Sequence, residues 1–138
     1  VGESLGGEGA WQLAKRFPRV FAGVAASCGS LDPYDWNDWE WGSTPAVYSE
    51  VASVARAPFW FCHGTEDPYV PLSHAKQLDS ALRNARGRGS LLALPLRLMG
   101  LLKSNEVVFK TYDGLGHEVW THAYQEDDML EWLFKQRL

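Results

Sequence analysis

The sequence predicts an α/β domain, a parallel sheet with helices on its faces. Three observations carry this. Short apolar runs alternate with segments of helical periodicity, as in strands joined by crossover helices. Two of the runs, FAGVAASC (21–28) and PFWFCH (58–63), consist mainly of small and apolar residues, which suits strands buried on both faces. Each run also ends on a breaker: Gly29 after the first, Gly64 after the second, and Asp113-Gly114 after a third run, VVFKTY (107–112).

The elements follow in order. Gly2-Glu3-Ser4-Leu5-Gly6 fits the pattern GxSxG, which as a nucleophile elbow needs a strand before it and a helix after it. The helix is legible: small residues Gly6, Gly7, Gly9 and Ala10 lead into Trp11, Leu13, Ala14 and Phe17 at near-helical spacing, until Pro18 stops the run. No strand precedes it beyond Val1, so the chain reads as the C-terminal part of a longer protein. After the first strand run, residues 32–44 mix Asp, Pro, Gly and Asn with Trp36, Trp39 and Trp41 and read as an irregular loop. Pro45 heads a short helix with Ala46, Val47, Val51 and Val54 on its apolar side. Ser73 reads as the N-cap of a helix running through Ala75, Leu78 and Leu82 to about Arg86. A last helix covers about 121–136, with Tyr124, Met129, Trp132, Leu133 and Phe134 available for packing.

Composition narrows the function classes. With 138 residues the chain suits one modest domain, and 46% hydrophobic and 22% charged residues are ordinary globular usage. A net charge of −4 lacks the basic footprint of a nucleic-acid binder. No apolar stretch reaches the length of a transmembrane helix. The two cysteines, Cys28 and Cys62, are too few for a disulfide scaffold or a structural zinc site, and they read as buried free thiols on neighbouring strands. The four histidines show no paired spacing that would mark a metal site, and no cofactor is expected.

One segment breaks the order. An insertion at about 87–104, in and just after RGRGSLLALPLRLMGLLK (86–103), is leucine-rich around Pro95 and separates a helix from a strand that should follow within about 2–6 residues. Three readings stand: an amphipathic helical insertion covering an apolar surface, a membrane-surface contact flanked by Arg86, Arg88, Arg97 and Lys103, or a non-native insertion.

The chemistry lies in three residues. A serine hydroxyl is a weak nucleophile until a base sits within hydrogen-bond reach and a third group holds that base's tautomer. Ser4 has such candidates in Asp67, in HGTEDPYVP (63–71), and His117, in GLGH (114–117). Both follow strand ends, where open α/β sheets bind their ligands, and the order Ser, Asp, His is that of a nucleophile-elbow enzyme. Glu66 is the neighbouring competitor for the acid. His63, at a strand end, suits a structural hydrogen bond, while His74 and His122 on helix starts are expected to be solvated, and Trp11 and Trp120 to pack in the core. Trp36, Trp39 and Trp41 lie on the triad edge and suit either aromatic or sugar-bearing substrates or a cover over the sheet edge.

The stretches GESLGGEGAW, HGTEDPYVP, and GLGH followed by Trp120 resemble the C-terminal half of α/β-hydrolases, in particular the feruloyl-esterase-like, dienelactone-hydrolase-like and prolyl-oligopeptidase-type group. The resemblance spans nearly the whole chain except the leucine-rich insertion. It implies a partial α/β-hydrolase domain of three parallel strands with flanking helices, the N-terminal strands missing. It also implies Ser4 as nucleophile, Asp67 as acid, His117 as base and the backbone N–H of Leu5 as an oxyanion donor, with a second donor outside the chain. The expected activity is that of a serine hydrolase on a small ester or a peptide, weak or absent in this fragment alone. The alternatives are a serine peptidase of prolyl-oligopeptidase type and a non-catalytic truncated hydrolase.

Overall fold

The computed structural model describes residues 1–31, 34–35, 40–41, 48, 50, 57–87, 106–125 and 129–137. In chain order its elements are β1 (Gly2–Glu3), α1 (Leu5–Arg16), β2 (Val24–Ser27), β3 (Tyr34–Asp35), β4 (Glu40–Trp41), β5 (Phe59–Gly64), α2 (Leu72–Gly87), β6 (Val107–Tyr112), α3 (Trp120–Gln125) and α4 (Met129–Phe134). Four strands form one sheet in the order β1-β2-β5-β6, and every neighbouring pair in it is parallel. The three expected strands are therefore present. A fourth, the two-residue β1, supplies the strand before Ser4 that the sequence did not reveal; it pairs Gly2 with Ala26 and Glu3 with Ser27.

Strand alternation divides the core in two. Val24 and Ala26 of β2 and Phe59 and Phe61 of β5 pack on one face, against Trp11 and Ala14 of α1 and Ala75, Leu78 and Leu82 of α2. The intervening Ala25, Trp60 and Cys62 face the other way, against Val119, Ala123, Met129 and Trp132. Both faces are thus covered, which explains why β2 and β5 carry no polar face of their own. The helices earn their places by spacing: Gly7, Trp11 and Ala14 form one stripe of α1, and Ala75, Leu78 and Leu82 one stripe of α2. Trp11 anchors the first face, its ring stacked on Phe59 at 4.6 Å and edge-on to Phe61 at 5.2 Å.

Several boundaries differ from expectation. β2 stops at Ser27 because Cys28 turns into the left-handed region at φ 49°, so the run 21–28 contracts to four residues. α2 begins at Leu72, which puts Ser73 inside the first turn rather than at its cap; the His74 N–H reaches back to the Pro71 carbonyl at 3.0 Å, and proline's fixed φ suits that entry. Within the loop after β2, β3 and β4 pair antiparallel, Tyr34 with Trp41 and Asp35 with Glu40. The last helix is described as α3 and α4, with residues 126–128 between them outside the described residues. Met129 and Trp132 are buried as expected, but Phe134 is 74% exposed because it lies on the solvent side of α4. Of the helix headed by Pro45, residues 48 and 50 are helical and the remainder lie outside the described residues, as does the leucine-rich segment from residue 88 to 105.

Candidate active site

Ser4, Asp67 and His117 each follow the C-terminal end of a strand: Ser4 follows β1, Asp67 lies three residues past β5, and His117 five past β6. The structure brings all three together. Ser4 Oγ lies 2.8 Å from His117 Nε2, and His117 Nδ1 lies 2.7 Å from Asp67 Oδ2. A carboxylate only accepts, so Nδ1 carries the proton and donates to Asp67, which leaves Nε2 to accept from the serine hydroxyl.

The turn at Ser4 is strained. Ser4 holds φ 52° and ψ −119°, a region that side chains other than glycine's avoid, between β1 and the first residue of α1. Gly2 is what lets the chain turn so sharply, since a Cβ there would collide with the Gly6 carbonyl. Leu5 is the first residue of α1; its N–H belongs to the first turn, which has no intrahelical acceptor, at the positive end of the helix dipole. Leu5 as a whole is 60% exposed.

Asp67 is held from several sides. Its Oδ1 accepts the backbone N–H groups of Tyr69 and Val70, both at 2.9 Å, and its side chain is wholly buried. Burial alone would push this carboxyl up. Hydrogen bonds from His63, from the Val70 N–H, from His117 and from the Tyr69 N–H outweigh burial, so the group sits well below the ordinary carboxylate range. Asp67 is thereby kept ionised as a partner for the imidazole. Glu66, its neighbour, is exposed and contributes only its backbone, whose N–H donates to the Leu115 carbonyl at 2.9 Å.

The loops carrying Asp67 and His117 are joined to each other. Thr65 N–H donates to the Tyr112 carbonyl at 3.0 Å, Thr65 Oγ1 donates to Asp113 Oδ1 at 3.2 Å and accepts from the Gly114 N–H at 2.8 Å. Gly64 lies directly beneath the second loop, where a Cβ would run into the carbonyls of Leu115 and Gly116. Two aromatic rings stand edge-on to the imidazole, Tyr69 at 5.3 Å and Trp120 at 5.5 Å. Trp120 is half-buried and meets His117 rather than lying in the core, because α3 starts only three residues after His117. Sequence reasoning missed Thr65, Gly64 and Tyr69. The only signal for them was their membership of the stretch HGTEDPYVP.

The other histidines divide differently from expectation. His74 is buried, its Nδ1 2.7 Å from Ser30 Oγ, because α2 packs this first turn against the loop after β2. His122 is half-buried beside Tyr112, with ring centres 5.9 Å apart. His63 makes the structural hydrogen bond foreseen for it, from Nε2 to the Val70 carbonyl at 2.9 Å. Both cysteines are buried thiols outside any disulfide, and the Cys62 Sγ–H donates to Ser27 Oγ at 3.3 Å. Burial, together with the nearby Asp67 and Cys62, pushes the Cys28 thiol up to about 12, against a lowering hydrogen bond from the Gly64 backbone. Among the described residues, the one group of three possible metal ligands is Cys28, Asp67 and His117, with ligand atoms within 4.8 Å of one another. Two of these are already hydrogen-bonded to each other, and the third is a protonated thiol. Trp36 and Trp39 lie outside the described residues, and Trp41 is placed on β4.

No protein-family model matches the sequence, and no curated protein matches it. Solved structures do. A thermostable esterase superposes with a TM-score of 0.61 at 23% identity over 98% of this chain and 30% of its own. A monoacylglycerol lipase from Paleococcus ferrophilus gives 0.61 at 17% identity over 96% of this chain and 66% of its own. A candidate dipeptidyl aminopeptidase IV from Bacteroides ovatus gives 0.68 at 18% identity over 99% of this chain and 19% of its own. The chain therefore spans between a fifth and two-thirds of the length of these three structures. No helix among the described residues is long and apolar enough to cross a membrane.

Proposed function

From a chain that carries part of the α/β-hydrolase fold, we propose a serine hydrolase that cleaves carboxylic esters through an acyl-enzyme on Ser4. The observation that carries this reading is the unbroken hydrogen-bond chain from Ser4 Oγ through His117 to Asp67, at 2.8 and 2.7 Å. Esterase and lipase structures among the similar folds support it.

The chemistry follows from the positions. His117 Nε2 takes the hydroxyl proton as Ser4 Oγ attacks the ester carbonyl. The resulting imidazolium is stabilised by Asp67, which is already ionised and already holds Nδ1–H. Negative charge on the carbonyl oxygen is received by the Leu5 N–H at the head of α1, a donor worth about 10²–10³ in turnover at such sites. His117 then returns its proton to the leaving alkoxide. Water, deprotonated by the same imidazole, releases the acid and restores Ser4. Trp36, Trp39 and Trp41 follow β2 in the sequence, and the pairing of β2 with β1 supports assigning them to the substrate.

Cleavage of a peptide instead of an ester is the second reading, favoured by the likeness to the dipeptidyl aminopeptidase fold. One experiment tests both. A fluorophosphonate probe should label the complete protein at Ser4, with labelling abolished in Ser4→Ala and strongly reduced in His117→Ala. Turnover of an aryl ester against the matching anilide then separates esterase from peptidase. A folded complete protein that takes no label refutes the serine-hydrolase reading and leaves a non-catalytic domain.

A further inference from the structure

We propose that His63 is a positioning residue that fixes the Asp67 carboxylate for His117 through hydrogen bonds donated by its Nε2. This rests on the serine-hydrolase reading and adds to it a residue outside the triad.

His63 is the penultimate residue of β5 and is fully buried. Strand alternation puts it on the same face as Phe59 and Phe61, where an apolar side chain would be the ordinary choice. Its Nε2 lies 2.9 Å from the Val70 carbonyl and 3.3 Å from Asp67 Oδ2. Both neighbours are acceptors, so Nε2 carries the proton and divides it between them. The remaining nitrogen, Nδ1, is buried and has no hydrogen-bond partner among the described residues. A buried ring nitrogen without a partner is a cost that a leucine of similar bulk would avoid. The other nitrogen must therefore supply something leucine does not.

What it supplies is visible in the turn. Asp67 Oδ1 is fixed by the backbone of Tyr69 and Val70, yet those donors belong to the same short turn and move with it. His63 belongs to β5, in the rigid sheet. Its Nε2–H, hydrogen-bonded to the Val70 carbonyl and in polar contact with the Asp67 carboxylate, ties both ends of the turn to that sheet. Without it, the carboxylate can swing relative to the strand, and Oδ2 no longer presents a fixed acceptor to His117 Nδ1.

Two replacements separate donation from bulk. His63→Leu fills the space without an N–H. His63→Gln carries an amide nitrogen at about the reach of imidazole Nε2. The readouts are kcat and KM on an aryl ester and, without substrate, the far-downfield proton resonance of His117 Nδ1–H. His63→Leu should lower kcat about tenfold to a hundredfold with KM within about twofold, and should broaden or abolish the resonance. His63→Gln should restore both. If His63→Leu does not fold, His63→Asn takes its place, since its shorter amide cannot reach the two oxygens; Gln should then be active and Asn impaired. Gln and Asn behaving alike, or Leu leaving both readouts unchanged, overturns the proposal. A complete wild-type protein that hydrolyses nothing refutes the esterase reading alone, because the resonance and its response to these variants still report on His63.

Discussion

Replacing Gly64 by alanine should disable the site without touching any of its reacting atoms. Carbon–carbon contacts are comfortable at roughly 3.5–4.0 Å. A Cβ on Gly64 would stand 2.9 Å from the Leu115 carbonyl carbon, and closer still to the oxygens of Leu115 and Gly116. Both obstacles are backbone, and β5 cannot yield because it is paired on both sides, to β2 and to β6. The loop before His117 must therefore withdraw by about 1 Å. His117 Nε2 now sits 2.8 Å from Ser4 Oγ, so a shift of that size takes the pair beyond hydrogen-bond distance. Misplacement by about 1 Å costs roughly 10²-fold in rate, close to 2.7 kcal/mol of activation free energy. The assay is kcat/KM on an aryl ester beside a thermal melt. The expected result is a fall of about a hundredfold, most of it in kcat, in a protein that still melts cooperatively. Unchanged kcat/KM in Gly64→Ala would refute the reasoning, because it would mean that the loop's contact with β5 does not set the position of the imidazole.

Two further outcomes follow from the same geometry. Ser4→Gly should abolish turnover yet raise stability by about 1 kcal/mol, since it relieves a φ of 52° at a cost of backbone entropy smaller than the strain; a lower denaturation midpoint than the parent's would contradict this. Asp67 lies below its ordinary 3.8 in the folded protein, so its stabilisation is present above about pH 4 and lost as the pH falls through the folded value. Asp67→Asn should therefore be less stable at neutral pH, lose stability less steeply on acidification, and lose about 10⁴ in kcat; an acid limb as steep as the parent's would count against it.

The fold was legible where side-chain pattern and local structure coincide. β5 and β6 appear almost as the apolar runs draw them, and α1 and α2 follow their Trp11–Ala14 and Ala75–Leu78–Leu82 stripes. β1 was not legible, because two residues, one of them glycine, carry no periodicity; it exists only through pairing with Ala26 and Ser27 of β2. Boundaries set by backbone conformation also escaped, as at Cys28, whose left-handed φ shortens β2. Among the site residues, Ser4, Asp67 and His117 stood out by motif and by position after strands. The parts that hold them did not. Thr65 is an unremarkable polar residue until its hydroxyl is seen between Asp113 and the Gly114 N–H, and His74 looks like a helix-start histidine until Ser30 meets it.

By itself, the sequence singled out Ser4, Asp67 and His117 as candidates and indicated that Asp67 and His117 follow strands, because elbow, turn and loop are local patterns. It did not determine that they meet. Strand order puts β1 and β6 at opposite edges of the sheet, three inter-strand spacings or about 14 Å apart. Ser4 and His117 touch only because the last loop folds back across the end of β5, over a glycine that leaves room for its carbonyls. Such a crossing depends on close packing between segments some fifty residues apart. It leaves no trace in the spacing of either segment, so only the tertiary structure could decide it.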